Sequence, residues 1–130
     1  MPLKLQIKAG QRIIVNGAVV ENIGTRTASL LVKNEAAIMR DTDILTPEDA
    51  VTPASRVYYA LQCLYLFPSQ KDKYLPLFKD LSAGYAEAAP SAREIIDGLR
   101  EHVDQGQFYM ALKKARDLIQ HEAKVLSHVD

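Results

Sequence analysis

Three cations stand where they could meet a polyanion. Lys4 and Lys8 alternate with apolar residues in Leu3-Lys4-Leu5-Gln6-Ile7-Lys8, and Arg40 closes the run Ala36-Ala37-Ile38-Met39-Arg40. Cationic groups beside sheet-edge donors and acceptors suit the phosphates and unstacked base edges of single-stranded RNA. The same lysines would also serve to guard an exposed strand edge. The remaining reactive residues are scattered. His121 and His128 are seven apart, whereas a zinc site normally uses an i, i+4 pair and a third ligand. Together with His102 they read as solvated helix-face histidines, with Asp117 in reach of His121. Ser55, Cys63 and Ser69 have no oriented base nearby in sequence and no nucleophile-elbow signature. Gly10, Gly17 and Gly24 belong to turns and do not form a phosphate-cradling loop. Tyr58, Tyr59, Tyr65 and Tyr74 could stack bases. Tyr58 and Tyr65 share one face of an apolar helix, so core packing is the better reading. Lys113, Lys114 and Arg116 interleave with Asp117 and Glu122 as a solvated face. With no enzyme motif and no expected metal or cofactor, the chain should act by binding.

The elements that would position these residues fall in two halves. Residues 1–45 carry short alternating runs with a period of two, broken at Gly10, Asn16-Gly17, Gly24-Thr25 and Asn34-Glu35. Asn16-Gly17 is type I′ hairpin chemistry between strands over 12–15 and 18–22. Further strands are expected at 3–7, 28–33 and 36–40, which together make a small meander or barrel. If the first and last strands are neighbours, Lys4, Lys8 and Arg40 form one ridge. Residues 46–130 read as helix throughout. Thr46-Pro47-Glu48-Asp49 is a helix-start signature, repeated by Thr52-Pro53 ahead of an apolar helix to about Phe67. Ser69 can cap the next helix, from Gln70 towards Ala88, which Pro76 should kink or restart. Ile95, Ile96, Leu99 and Val103 form a stripe ending near Gly106. Phe108, Ala111, Leu112, Ala115, Leu118, Ile119 and Leu126 form the seam of a last helix over 107–128, antiparallel to its predecessor. The expected architecture is α+β: an N-terminal antiparallel β module of about five strands (1–45) and a four-to-five-helix domain (46–130) packed on it.

Bulk properties narrow the classes. The 130 residues carry 16 Lys+Arg and 16 Asp+Glu, so no overall basic field points to nucleic acid. Residues 1–45, however, hold six Lys/Arg against four Asp/Glu. The lone Cys63 excludes an internal disulfide and fits a reducing compartment as buried packing. The longest apolar run, Val57 to Phe67 with Gln62 inside it, is too short for a membrane span. The N-terminus lacks the continuous apolar core of a signal peptide. A soluble cytoplasmic protein is expected.

Several segments in order carry a resemblance that covers essentially the whole chain. They are Met1-Pro2-Leu3-Lys4-Leu5, Asn16-Gly17-Ala18-Val19-Val20-Glu21-Asn22, Met39-Arg40-Asp41-Thr42-Asp43-Ile44, Thr52 through Tyr59, and Phe108-Tyr109-Met110-Ala111-Leu112. As a set they closely resemble the FlbT family, post-transcriptional regulators of flagellin synthesis in alphaproteobacteria. The resemblance implies action on the 5′ untranslated region of flagellin mRNA, repressing translation or promoting decay, with some members behaving as activators. It also implies a link to FlaF, which acts in the opposite sense. The β module alone, through Lys8-Ala9-Gly10-Gln11-Arg12-Ile13-Ile14-Val15 and Ile38-Met39-Arg40-Asp41, looks like the carbon storage regulator family. That family binds mRNA leaders as an interlocked dimer through its first and last strands. By that likeness Lys4, Lys8 and Arg40 become RNA-contact residues, although Gln6-Ile7-Lys8 stands where that family usually carries an Arg-Arg pair. The rival expectation is a flagellin-binding chaperone or export adaptor that affects mRNA indirectly, its apolar helices holding a flagellin terminal helix. Candidate partners are therefore the flagellin leader, flagellin and FlaF, with no membrane and with dimerisation open.

Overall fold

Leu3, Leu5 and Ile7 alternating with Lys4 and Gln6 dictate a strand with one buried face, and they form β1 (Leu3–Ile7), with Leu5 and Ile7 buried. The computed structural model describes residues 3–127. The chain divides into two units, Met1–Ile44 and Leu45–Asp130. Five antiparallel strands and then four α-helices make up the described residues, the α+β arrangement expected from the sequence.

In the first unit β2 (Arg12–Val15) and β3 (Ala18–Glu21) form the expected hairpin. Asn16 at φ 51° and Gly17 at φ 87° both take the left-handed conformation that a type I′ turn demands. Asn16 also accepts the Ala37 N–H through Oδ1 (2.9 Å) and donates its own N–H to the Ala37 carbonyl (2.8 Å). The turn thereby seats β5 (Ile38–Arg40) along β2, with Ile13 opposite Arg40. The fourth strand, β4 (Ala28–Val32), pairs with β1, Leu5 opposite Leu30. The result is two sheets, β1-β4 and β3-β2-β5, where the sequence predicted a single small meander or barrel. Only β2 and β3 are partners joined by a tight turn. Asn22 ties the two sheets: its Nδ2 donates to the Ile7 carbonyl (2.8 Å) and the Arg26 carbonyl (2.9 Å). Its Oδ1 accepts the Gly24 N–H at 2.9 Å, an Asx turn. The core of the unit is Leu5, Ile7 and Ile13, with Val15, Val32 and Ile38 packed against it.

The second unit departs from expectation at its start. Thr46 does cap, its Oγ1 accepting the Asp49 N–H (3.3 Å), but residues 46–50 make one turn and no helix. Thr52 precedes Pro53, which excludes the helical region for it, and its φ −99°, ψ 159° end the turn. Thr52 instead caps α1 (Pro53–Leu66) in a capping box with Ser55. Helix α1 is apolar nearly all round and buried nearly all round, with Val57, Tyr58, Leu61 and Leu64 enclosed. It packs on α2 (Lys71–Ala88) and α4 (Phe108–Ser127), and α3 (Arg93–Asp104) packs on α4.

Single 3-10 turns over Pro68–Gln70 and Pro90–Ala92 lead into α2 and α3, and Gln70, not Ser69, stands at the cap of α2. Helix α2 continues across Pro76 instead of restarting. The proline lies near the helix's N-terminal end, so it removes one ladder bond where few precede it. Ala111, Leu112, Ala115 and Leu118 form the buried seam of α4, whereas Leu126 is exposed. His128, placed on this helix from the sequence, lies outside the described residues. No described helix is long and apolar enough to cross a membrane.

Candidate functional site

Lys4 is the second residue of β1, on its solvent face opposite Leu31 of β4, and is exposed. Lys8 stands one residue beyond β1, not within it. A tight turn there brings the Gln11 N–H onto the Lys8 carbonyl (3.0 Å) and the Lys8 N–H onto Gln11 Oε1 (2.8 Å). Arg40 ends β5. First and last strands do not pair with each other, since β1 pairs with β4 and β5 with β2. The link runs through the side chain instead: Arg40 Nη1 donates to the Gln6 carbonyl at 3.1 Å. Gln6 lies midway in sequence between Lys4 and Lys8, so Arg40 reaches the backbone between the two lysines, and all three cations are exposed.

A cleft of about 160 Å³ adjoins Arg40, lined by Gly10, Gln11, Arg12, Arg40, Asp41 and Thr42. Arg12 is a residue that sequence reasoning passed over. The Ile13–Arg40 register sets Arg12 close to the end of β5, and that strand pairing has no local signature. Arg12 Nε also binds Glu21 Oε1 at 2.9 Å across the hairpin, an exposed pair that moderates its charge. Gly10, at φ 80°, supplies the left-handed turn that carries the chain from Lys8 to Arg12.

The helical unit places the other candidates. Tyr58 is core, as expected, while Tyr65 packs its ring on Tyr109 at 5.3 Å. Lys113 Nζ lies 5.9 Å over the Tyr109 ring. Cys63 is buried, and burial pushes its thiol pKa up, the environment of a packing cysteine. His102 Nδ1 contacts Gln107 Oε1 at 2.8 Å. His121 is not simply a solvated helix residue: Nδ1 lies 3.2 Å from Tyr85 Oη and Nε2 lies 2.8 Å from Ser91 Oγ. It straps α4 to α2 and to the turn before α3. Among the described residues no group of three His, Cys, Asp or Glu could hold a metal ion.

The chain is an α+β protein with exposed cations at Lys4, Lys8 and Arg40 and a helical unit built round the buried α1. The chain belongs to the FlbT family: the family model described as "Flagellar protein FlbT" matches residues 3–126. It is similar to the "Probable flagellum biosynthesis repressor protein FlbT" of Rhodopseudomonas palustris strain TIE-1, 40% identical over 98% of this chain and 99% of the relative. The Bradyrhizobium diazoefficiens "Probable flagellum biosynthesis repressor protein FlbT 1" is 39% identical over 96% of this chain and 85% of the relative. The Caulobacter vibrioides "Flagellum biosynthesis repressor protein FlbT" is 33% identical over 99% of this chain and 92% of the relative. No solved structure matches significantly.

Proposed function

We propose that this chain is a repressor of flagellar expression that binds the 5′ untranslated region of flagellin mRNA and controls its translation or decay in the cytoplasm. Lys4, Lys8 and Arg40 would make the RNA contact. The observation that supports this reading is the Arg40–Gln6 bond, which ties the end of the last strand to the backbone between Lys4 and Lys8. A guanidinium has five N–H donors, so one bond to Gln6 leaves others for phosphate or a base edge. The names of the relatives support repression of flagellum biosynthesis. The mechanism is non-catalytic, and the helical unit would receive a protein partner, with FlaF and flagellin as candidates.

Titration of a labelled flagellin leader with purified protein tests this. Arg40→Ala should weaken binding about tenfold, with circular dichroism unchanged. Unaltered binding would remove Arg40 from the site. The exposed Tyr109, Met110, Val125 and Leu126 of α4 favour a second reading, a flagellin-binding chaperone or export adaptor acting on mRNA indirectly. Binding of flagellin without binding of the leader would select that reading.

A further inference from the structure

The β unit leaves its core unfinished along two strand edges. By register Val20 of β3 lies opposite Ile13 and Leu30 of β4 lies opposite Leu5, so both side chains point to the core face. Their partners Ile13 and Leu5 are 1% and 8% exposed, yet Val20 and Leu30 are each 40% exposed. The cause is topological: among the described residues β3 and β4 each have one strand neighbour and are outer strands of their sheets. Val19 and Leu31, on the opposite faces, are exposed as well.

Charge is distributed unevenly between the edges. Strand β1 carries Lys4 and receives the Arg40 guanidinium on its Gln6 carbonyl, and β5 ends in Arg40. Strand β4, Ala28-Ser29-Leu30-Leu31-Val32, carries no charge and no proline, the usual devices that keep an edge from pairing with another chain. A 44-residue unit with four buried apolar side chains, Leu5, Ile7, Ile13 and Met39, is also small enough to gain stability from oligomerisation.

We infer that this chain forms a two-fold dimer in which the β4 strands of two copies pair antiparallel about Leu30. This strand is self-complementary in that register. Ala28 falls opposite Val32 of the second copy, Ser29 opposite Leu31, and Leu30 opposite its own equivalent, so no charge opposes another among the ten residues. The two β1-β4 ribbons become one four-stranded sheet. The Leu30 side chains meet on the core face and join the two Leu5-Ile7-Ile13 clusters. A two-stranded ribbon is marginal in water, and four strands with one apolar face are not. The interface is isologous and closes on itself, so it stops at two copies. This inference is independent of RNA binding.

Size-exclusion chromatography with light scattering on the full chain tests it. The wild type should run at twice 14.5 kDa at micromolar concentration. The double substitution Ser29→Glu with Leu31→Glu leaves the monomer intact, because these positions face Gln6 and Lys4 within the chain. Across the dimer it sets carboxylate against carboxylate twice, which should weaken association by at least about a hundredfold and yield folded monomer. Ser29→Lys with Leu31→Glu sets opposite charges in those places and should restore the dimer. A monomeric wild type, or a dimer indifferent to both pairs of substitutions, overturns the inference. A monomeric wild type that captures some other protein along β4 overturns it equally.

Discussion

At the scale of residues, the polar groups that interrupt apolar runs explain more than the runs do. Gln62 breaks the apolar stretch of α1 and is itself buried. Its Oε1 accepts the Leu45 N–H (2.8 Å) and its Nε2 donates to the Leu45 carbonyl (2.9 Å), anchoring the chain as it enters the helical unit. Gln62→Leu preserves volume but strands both backbone groups, and should cost about 2–3 kcal/mol in urea unfolding. A loss under half of that would mean water replaces the amide. Tyr59 gives a pH prediction. Burial, with the Cys63 side chain beside it, pushes its pKa from 10.0 to about 12. Ionisation is therefore easier in the unfolded chain. The stability that follows is complete below pH 10 and is lost as pH rises from 10 towards about 12. Tyr85, raised from 10.0 mainly by burial, adds to the same alkaline loss, and Cys63, raised from 9.0 also mainly by burial, begins its own loss from pH 9.0 upward. Thermal melts of Tyr59→Phe over this range should show a shallower decline than wild type, and identical slopes would count against the assignment.

At the scale of elements, α1 is the piece on which the helical unit depends, and its N-terminus is held from two directions. Thr52 and Ser55 close the capping box, and Glu122 Oε2 of α4 accepts the Ala54 N–H at 2.9 Å. The first turn of α1 contains no acid of its own, so the carboxylate favoured at a helix's positive end arrives from another helix. Thr52→Ala should lower stability by about 1 kcal/mol. Combined with Glu122→Gln, the loss should fall short of the sum of the single losses, because both act on one helix end. Full additivity in a double-mutant cycle would show the two caps to be independent. Thr46-Pro47-Glu48-Asp49 carries the same local signature as Thr52-Pro53 but yields only a turn, because it ends against a proline within a few residues.

At the scale of the whole molecule, equal numbers of basic and acidic residues leave no long-range field to draw RNA in. Binding through Lys4, Lys8 and Arg40 alone would release few counterions. The logarithm of affinity should fall with the logarithm of salt with a slope of about −2, as three contacts on a single strand imply. A slope several times steeper would assign much of the contact to lysines elsewhere, such as Lys71, Lys73 and Lys113, which lie over aromatic rings of the helical unit.

Local patterns are set by the sequence itself. The period of two in 3–7, the Asn16-Gly17 turn, the Thr52-Pro53 cap and the stripe of α3 are each decided by neighbours in sequence, through sterics and short-range hydrogen bonds. The α+β class follows from them. Which strand lies beside which does not, because Asn22 reaches Ile7 across fifteen positions and Arg40 reaches Gln6 across thirty-four. Such contacts form only when the whole unit has closed around Leu5, Ile7 and Ile13. The three candidate cations could thus be picked out by residue type. The contact of Arg40 with the backbone between Lys4 and Lys8, the addition of Arg12, and the exposed edges of β3 and β4 come from non-local pairing, which spacing along the chain does not encode.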